Sequence, residues 1–419
     1  MRHILLGLLL VVFFASSADA QQIVPAPVDS TDLITPVNAQ PLPIESVARR
    51  RGLLLGEPSR NLIIFSSTGI SGASAALYES WVPRRRIHSQ WQGLETVYPS
   101  MTRPGKGSSI SLLQLFSQMG RRLGLVSDED FIMPGFIQSE SAQQAVDLSN
   151  YHMALSFSGR RDEEERARLI SSASGSGLPS ALTFSELERL FTSKSNRIVG
   201  CFYGPLKAVG NTASREPGFA ELVSSAVSRL SVAPEGFFLT VNYRAVASAR
   251  NKNLFWQMLE HKKIQDNILQ QLVTFVHGRK DTLLLVVDEP ESGSWSIGRN
   301  FDPDSFVKDL KKIPDVMRDL SENPANTAVV LGRYYAGVSF PVDEILIALN
   351  SGAEETAEGI IEHCVNRSHQ VSFTSHVTEL ANAGMTVFSL GRNAEMFFGL
   401  SSFEDFHRRL LSCVRMTAE

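Results

Sequence analysis

Short apolar runs alternate along this chain with stretches in which apolar residues recur every three or four positions. NLIIF (61–65) runs into Ser66-Ser67-Thr68-Gly69, and an apolar run closed by turn formers predicts a fully buried strand. Ile110, Leu113, Phe116 and Met119 keep helical spacing, and Gly120 and Gly124 close that element before the strand-like LGLVS (123–127). HMALSFSG (152–159), RIVGCFY (197–203), FFLTV (237–241), LLLVVDE (283–289), TAVVLG (327–332) and MTVFSLG (385–391) predict further strands. Between them, Phe219, Leu222, Val223, Ala226, Val227 and Leu230 mark one helix face. Met258, Leu259, Ile268, Leu269, Leu272, Val273 and Val276 mark a long second one. Phe403, Phe406, Leu410 and Leu411 predict a closing helix.

Strands of this kind alternating with helices imply a three-layer α/β sandwich, a largely parallel sheet with helices on both faces. In such sheets function gathers beyond the carboxyl ends of the strands. The informative segments are therefore Ser66–Gly69, Ser127–Asp130, Ser158–Arg161, Asn242–Ala247 and Asp288–Glu291. A run of backbone amides at Ser66–Gly69 could by itself cradle an anion.

The first residues read differently. Arg2 and His3 precede an apolar run from Ile4 to Ala15 and then small residues up to Ala20, the pattern of a secretory signal peptide over residues 1–20. The run is too short for a membrane anchor, and no later segment predicts a span. Residues 21–48 carry Pro25, Pro27, Pro36, Pro41 and Pro43, so an extended arm or propeptide is expected there, followed by one domain over 49–415. Secretion permits one disulfide among Cys201, Cys364 and Cys413, with no pair preferred. It also makes Asn366-Arg367-Ser368 a glycosylation sequon if Asn366 is exposed.

The 419 residues are 43% hydrophobic and 20% charged, with a net charge of −4, which excludes a disordered chain and argues against a nucleic-acid binder. Nine histidines and forty-four carboxylates could supply a metal site. His363, Cys364 and His369 suggest one by composition, but their spacing fits no compact ligand face. Arg84–Arg86 and Arg160-Arg161 are read as solvated charge, and Trp81 and Trp91 as packing residues.

The order of segments resembles the alkaline phosphatases. NLIIFSSTG is similar to that family's opening strand, which ends Gly-Asp-Gly-Met-Gly. SISLLQLFSQMGRRLGLVS is similar to its helix and strand ending Gly-Leu-Val-Thr-Thr, and AVDLSNYHMALSFSGRRDE to the segment before a Gly-Gly-Gly-Arg turn. RIVGCFYG, EPGFAELVSSAVSRLSVAPEGFFLTV, DTLLLVVDEPESGSW and TVFSLGRNAEMFFGLSSFEDFHRRL follow in the family's order, over residues 44 to 415, with an insertion at about 292–375. The resemblance implies a serine nucleophile, two zinc ions, a magnesium ion and a phosphate-binding arginine.

Position by position, the implied ligands are missing. The aspartate of Gly-Asp-Gly falls on Thr68. The Val-Glu-Gly-Gly-Arg-Ile-Asp-His block falls on Val241 to Ser248, so its glutamate becomes Asn242 and its aspartate Ala247. A further zinc histidine falls on Asn251, and the Asp-His pair after LLLVV falls on Glu289-Pro290, or on Asp288 with a one-residue slip. His376 alone matches a zinc histidine. Only MTRPGKGSS (101–109) occupies the nucleophile region, where Ser100, Ser108 and Ser109 lack the expected context.

The expectation is a secreted pseudoenzyme of the alkaline phosphatase fold, acting by binding and needing no cofactor. Its partner would be an extracellular protein or a phosphorylated ligand, and a homodimer would follow the family's habit. The first alternative is a phosphomonoester hydrolase with a remodelled zinc or magnesium site drawing on Asp128, Glu129, Asp130, Asp288, Glu289 and His376. The second is a structural extracellular component.

Overall fold

The computed structural model describes residues 57–70, 91–98, 116–132, 148–158, 162–174, 178–193, 196–203, 218–290, 294–299, 301–374 and 384–414. All lie within the unit Val47–Glu419. The signal segment, the proline-rich arm, the arginine runs, the nucleophile region and His376 lie outside the described residues.

The strands are β1 (Asn61–Thr68), β2 (Gly93–Tyr98), β3 (Arg122–Ser127), β4 (Met153–Phe157), β5 (Ser180–Ala181), β6 (Ile198–Phe202), β7 (Phe237–Tyr243), β8 (Thr282–Glu289), β9 (Ser294–Ile297), β10 (Val371–Thr374), β11 (Met385–Gly391) and β12 (Gly399–Ser402). Ten of them form one sheet in the order β12-β2-β11-β8-β1-β7-β3-β4-β6-β5, and β9 and β10 pair separately. Within the large sheet β11 runs antiparallel to β2 and β8, and the remaining pairs are parallel.

All eight residues of β1 are buried, because it lies between β8 and β7 with both faces covered. Its side chains divide by alternation. Ile63 and Phe65 join one apolar cluster, Leu62 and Ile64 the other. β8 divides the same way, with Leu284 and Val286 on one face and Leu283, Leu285 and Val287 on the other. The result is the expected three-layer sandwich.

The helices follow in chain order: α1 (Glu163–Ser174), α2 (Phe184–Thr192), α3 (Phe219–Leu230), α4 (Ala245–Asn251), α5 (Phe255–His277), α6 (Pro303–Leu310), α7 (Ile313–Glu322), α8 (Thr327–Tyr334), α9 (Val342–Asn350), α10 (Glu354–Ser368) and α11 (Phe403–Val414). α3 and α5 bury their apolar stripes in the first cluster, while Phe406, Leu410 and Cys413 of α11 pack in the second. Cys201, Cys364 and Cys413 all carry thiols, so no disulfide joins any of them. Among the described residues, no helix is long and apolar enough to cross a membrane.

TAVVLG (327–332) is helical, not a strand as the apolar run suggested. Val330 and Leu331 are buried while Val329 is 63% exposed, the one-sided burial of a helix. A short apolar run does not by itself separate the two states. The segment belongs to the helices α6 to α10, which are bracketed by the β9–β10 pair. This region docks on the start of α5 and the residues before it: Phe306 packs 5.1 Å from the Phe255 ring, Glu362 accepts from the Trp256 amide, and Asn366 Nδ2 donates to the Asn253 carbonyl at 2.7 Å.

Candidate functional site

β8, β1, β7 and β3 are neighbours and parallel, so their carboxyl ends share one sheet edge. In register, Thr68 stands beside Glu289, Ser67 beside Asp288, and Asn242 between Ser66 and Ser127. The sheet thus brings Thr68, Asn242, Asp288 and Glu289 to one edge. Pro290 follows Glu289. Ala247 and Asn251 lie on the seven-residue α4 that leaves β7, Ala247 half-buried and Asn251 exposed at the far end.

Three carboxylates on this edge, Glu289, Asp288 and Asp128, are each engaged by a different protein group. Glu289 Oε1 accepts from Ser66 Oγ at 2.7 Å. Asp288 Oδ1 accepts from the Ile70 amide at 3.0 Å, so one amide of the turn after β1 already serves an internal carboxylate. Asp128 Oδ2 accepts from the amides of Arg244 and Ala245 at 2.7 and 2.6 Å, which fixes the start of α4 against the end of β3. Burial pushes the Asp128 carboxyl up to about 7, while those two amides pull it the other way. No three His, Cys, Asp or Glu side chains converge to hold a metal ion among the described residues.

The turn after β1 is held from below by α5. Lys262 and Gln265 are both fully buried. Lys262 Nζ donates to the Gly69 carbonyl at 2.5 Å and to Gln265 Oε1. Gln265 Nε2 donates to Ser67 Oγ at 2.6 Å and to the Thr68 carbonyl at 3.1 Å. Sequence reading passed over both residues. Their signal was present, because 262 and 265 fall on the apolar stripe defined by 258, 269, 272 and 276, where a polar side chain needs a buried partner.

Beside this turn, Tyr243 ends β7 with its ring buried 5.2 Å from Phe219 and its hydroxyl 3.3 Å from His261 Nδ1. Burial pushes His261 down to about 4, so it is a neutral imidazole at ordinary pH. Among the buried oxygens on the edge without a hydrogen-bond partner among the described residues are Thr68 Oγ1, Asn242 Oδ1 and Asp128 Oδ1. Asn242 is oriented by its Nδ2, which donates to the Ile132 carbonyl at 3.0 Å.

Other candidates are dispersed. His363 is exposed, and His369 Nε2 lies 2.9 Å from Asp309 Oδ2 within the helical region, so the pair forms no ligand set with Cys364. Trp91 packs 5.6 Å from the Phe388 ring, as expected of a packing residue. The glycosylation expectation at Asn366 is corrected by its burial. The side chain is 4% exposed on α10 and its Nδ2 is committed to Asn253, so the exposure a sequon needs is absent.

Comparison with known proteins bears on the fold that carries this edge. No protein-family model matches the chain. Alkaline phosphatase 4 of Bacillus subtilis is 23% identical over 225 residues, 52% of this chain and 48% of the relative, so the match spans about half the relative's length. The crystal structure of Thermus thermophilus alkaline phosphatase superposes with a TM-score of 0.59 at 18% identity, covering 90% of this chain and 96% of that one. A cold-active alkaline phosphatase from a psychrophilic Shewanella gives a TM-score of 0.61 at 16% identity, over 85% of this chain and 100% of that one. The chain has the alkaline phosphatase superfamily fold.

The zinc pair that the resemblance implies does not fit the described part of this alkaline phosphatase fold. Thr68, Asn242, Ala247, Asn251 and Pro290 offer no carboxylate or imidazole, the donors that zinc accepts along with thiolate. Asp288 and Glu289 are present, but each is hydrogen-bonded to the turn or strand beside it. The orphaned oxygens of Thr68, Asn242 and Asp128 are hard donors, of the kind magnesium or calcium takes.

Proposed function

We propose that this chain is a secreted pseudoenzyme of the alkaline phosphatase fold, which binds a phosphorylated ligand or an extracellular protein and does not turn over phosphomonoesters. The observation that carries the reading is the protein's own occupation of the turn after β1. Lys262 and Gln265 hold the backbone and side chains of residues 67 to 69, and the adjacent carboxylates are spent on Ser66 and on the Ile70 amide. A nucleophile in this fold needs a metal to lower its pKa and a clamp for developing charge. The residues at the implied ligand positions supply neither.

A second reading, a hydrolase with a remodelled magnesium site, has one observation in its favour. Thr68 Oγ1, Asn242 Oδ1 and Asp128 Oδ1 are buried and unpaired at the same edge. Metal analysis of the protein purified from a secreting host separates the readings. The pseudoenzyme reading expects zinc and magnesium well below one ion per chain after dialysis. Stoichiometric zinc overturns it, and stoichiometric magnesium transfers support to the second reading.

A further inference from the structure

At the opposite end of the sheet, a pocket of about 300 Å³ opens where α5 ends and β11 leaves the sheet. Its floor is Val276 and Leu390, and its walls carry His277, Arg279, Lys280 and Arg392, with no carboxylate among the lining residues. Gly391 pairs with Leu283 at the amino end of β8. At about 3.3 Å per strand residue between Leu283 and Glu289, the pocket lies about 20 Å from the edge described above, too far for one small ligand to reach both.

The cations here are arranged rather than merely numerous. Arg279 lies with its guanidinium 4.5 Å from the Phe275 ring centroid, a cation–π contact that holds it beside the pocket. Arg392 is pinned by donating from Nε to the Glu57 carbonyl at 2.8 Å and from Nη2 to Glu57 Oε2 at 3.3 Å. Neither Arg279 nor Lys280 forms an ion pair among the described residues. The next carboxylate in the chain, Asp281, is turned into the start of β8, where its Oδ1 accepts from Thr282 Oγ1 at 3.1 Å.

The carbonyl end of α5 opposes an anion by about half a charge. Arg279, Lys280 and Arg392 are basic side chains, and with Glu57 set against Arg392 they outnumber the carboxylates paired to them. Gly391 shapes the wall. Its φ is +94°, and a Cβ there would lie 2.3 Å from the Thr282 carbonyl oxygen, so the backbone runs closer than any side chain would allow. Its amide is held by Gln92 Oε1 at 2.9 Å.

We propose that this pocket binds a tetrahedral oxyanion, the phosphate or sulfate group of a small ester. Guanidinium forks match the spacing of two oxygens on such a group, and an ammonium adds a point charge. The site is separate from the carboxyl edge, so its test does not depend on whether that edge is catalytic.

The test is calorimetric titration of the full chain with inorganic phosphate, inorganic sulfate and glucose 6-phosphate at constant ionic strength. Saturable binding of at least one is expected, and the probes that bind identify the group and whether the ester is needed. Arg279→Gln and Lys280→Gln should each weaken binding about tenfold, the loss of one charged hydrogen bond. Arg279→Lys, which keeps the charge but not the fork, should fall between. Lys280 is exposed, so Lys280→Gln leaves the fold intact and keeps the test valid if an Arg279 variant is unstable. No saturable binding of any probe overturns the proposal. So does unchanged affinity in the Lys280→Gln protein, which would place the anion elsewhere.

Discussion

Lys262 Nζ donates to the Gly69 carbonyl at 2.5 Å, setting a fully buried ammonium under the turn that leaves β1. An ammonium removed from water survives only where its donors are used, and here Gln265 Oε1 takes a second. Lys262→Met removes both donors and leaves two buried oxygens unsatisfied, at roughly 1–3 kcal/mol each. Relief from burying the charge offsets part of that. A net loss of about 1–3 kcal/mol is expected, read as a lower urea midpoint with unchanged slope. Equal or greater stability in the variant would show that the contact does not hold the turn.

Asp128 gives the chain a pH signature. Burial raises its folded pKa to about 7, against an ordinary value of about 3.9 in the unfolded chain. The folded state therefore keeps a proton that the unfolded state has lost. That contribution is fully present below about pH 4, falls as pH rises toward 7, and is gone above it. Asp128→Asn cannot titrate, so the stability difference between wild type and variant should shift against wild type across that window. Parallel profiles from pH 4 to 7 would contradict the assignment.

Gly236, in the turn between α3 and β7, has a φ of +90°, and an added Cβ would lie 2.3 Å from the Arg60 carbonyl oxygen. Gly236→Ala must both adopt a disfavoured backbone and displace the residue that leads into β1. A loss of more than about 2 kcal/mol is expected, measured by thermal or urea unfolding. A change below about 0.5 kcal/mol would mean the turn relaxes freely.

Much of this fold was legible in the sequence because each central strand is apolar on both faces and each flanking helix keeps its stripe. β1, β3, β4, β6, β7, β8 and β11 fall where the apolar runs fall. The run 327–332 was misassigned because six residues do not carry a period, and only the exposure of Val329 reveals the helix. At the site, the sequence singled out Thr68, Asn242 and Glu289 at the ends of their strands but not what engages them. Lys262 and Gln265 act across about 195 residues of chain, 262 to 69 and 265 to 68, and pairing at that separation is set by how α5 crosses the sheet. Asn366 shows the converse, since a local motif carries no information about burial.

Restoring one implied ligand should not restore chemistry. Thr68→Asp places a carboxylate at a 7% exposed position, in register with Glu289 and one residue from the Ser67–Asp288 pair. Three clustered carboxylates facing no added cation repel one another. The variant is expected to be less stable than wild type, with no gain in zinc retained after dialysis. Stoichiometric zinc in Thr68→Asp would show that the remaining groups, His376 among them, still form a ligand set.

The most direct measurement is hydrolysis of a chromogenic phosphomonoester by the purified full chain at alkaline pH, with zinc and magnesium supplied. The account predicts a rate indistinguishable from that of the buffer and metals alone, unchanged by a chelator. Turnover that saturates with substrate and is abolished by chelation would contradict it.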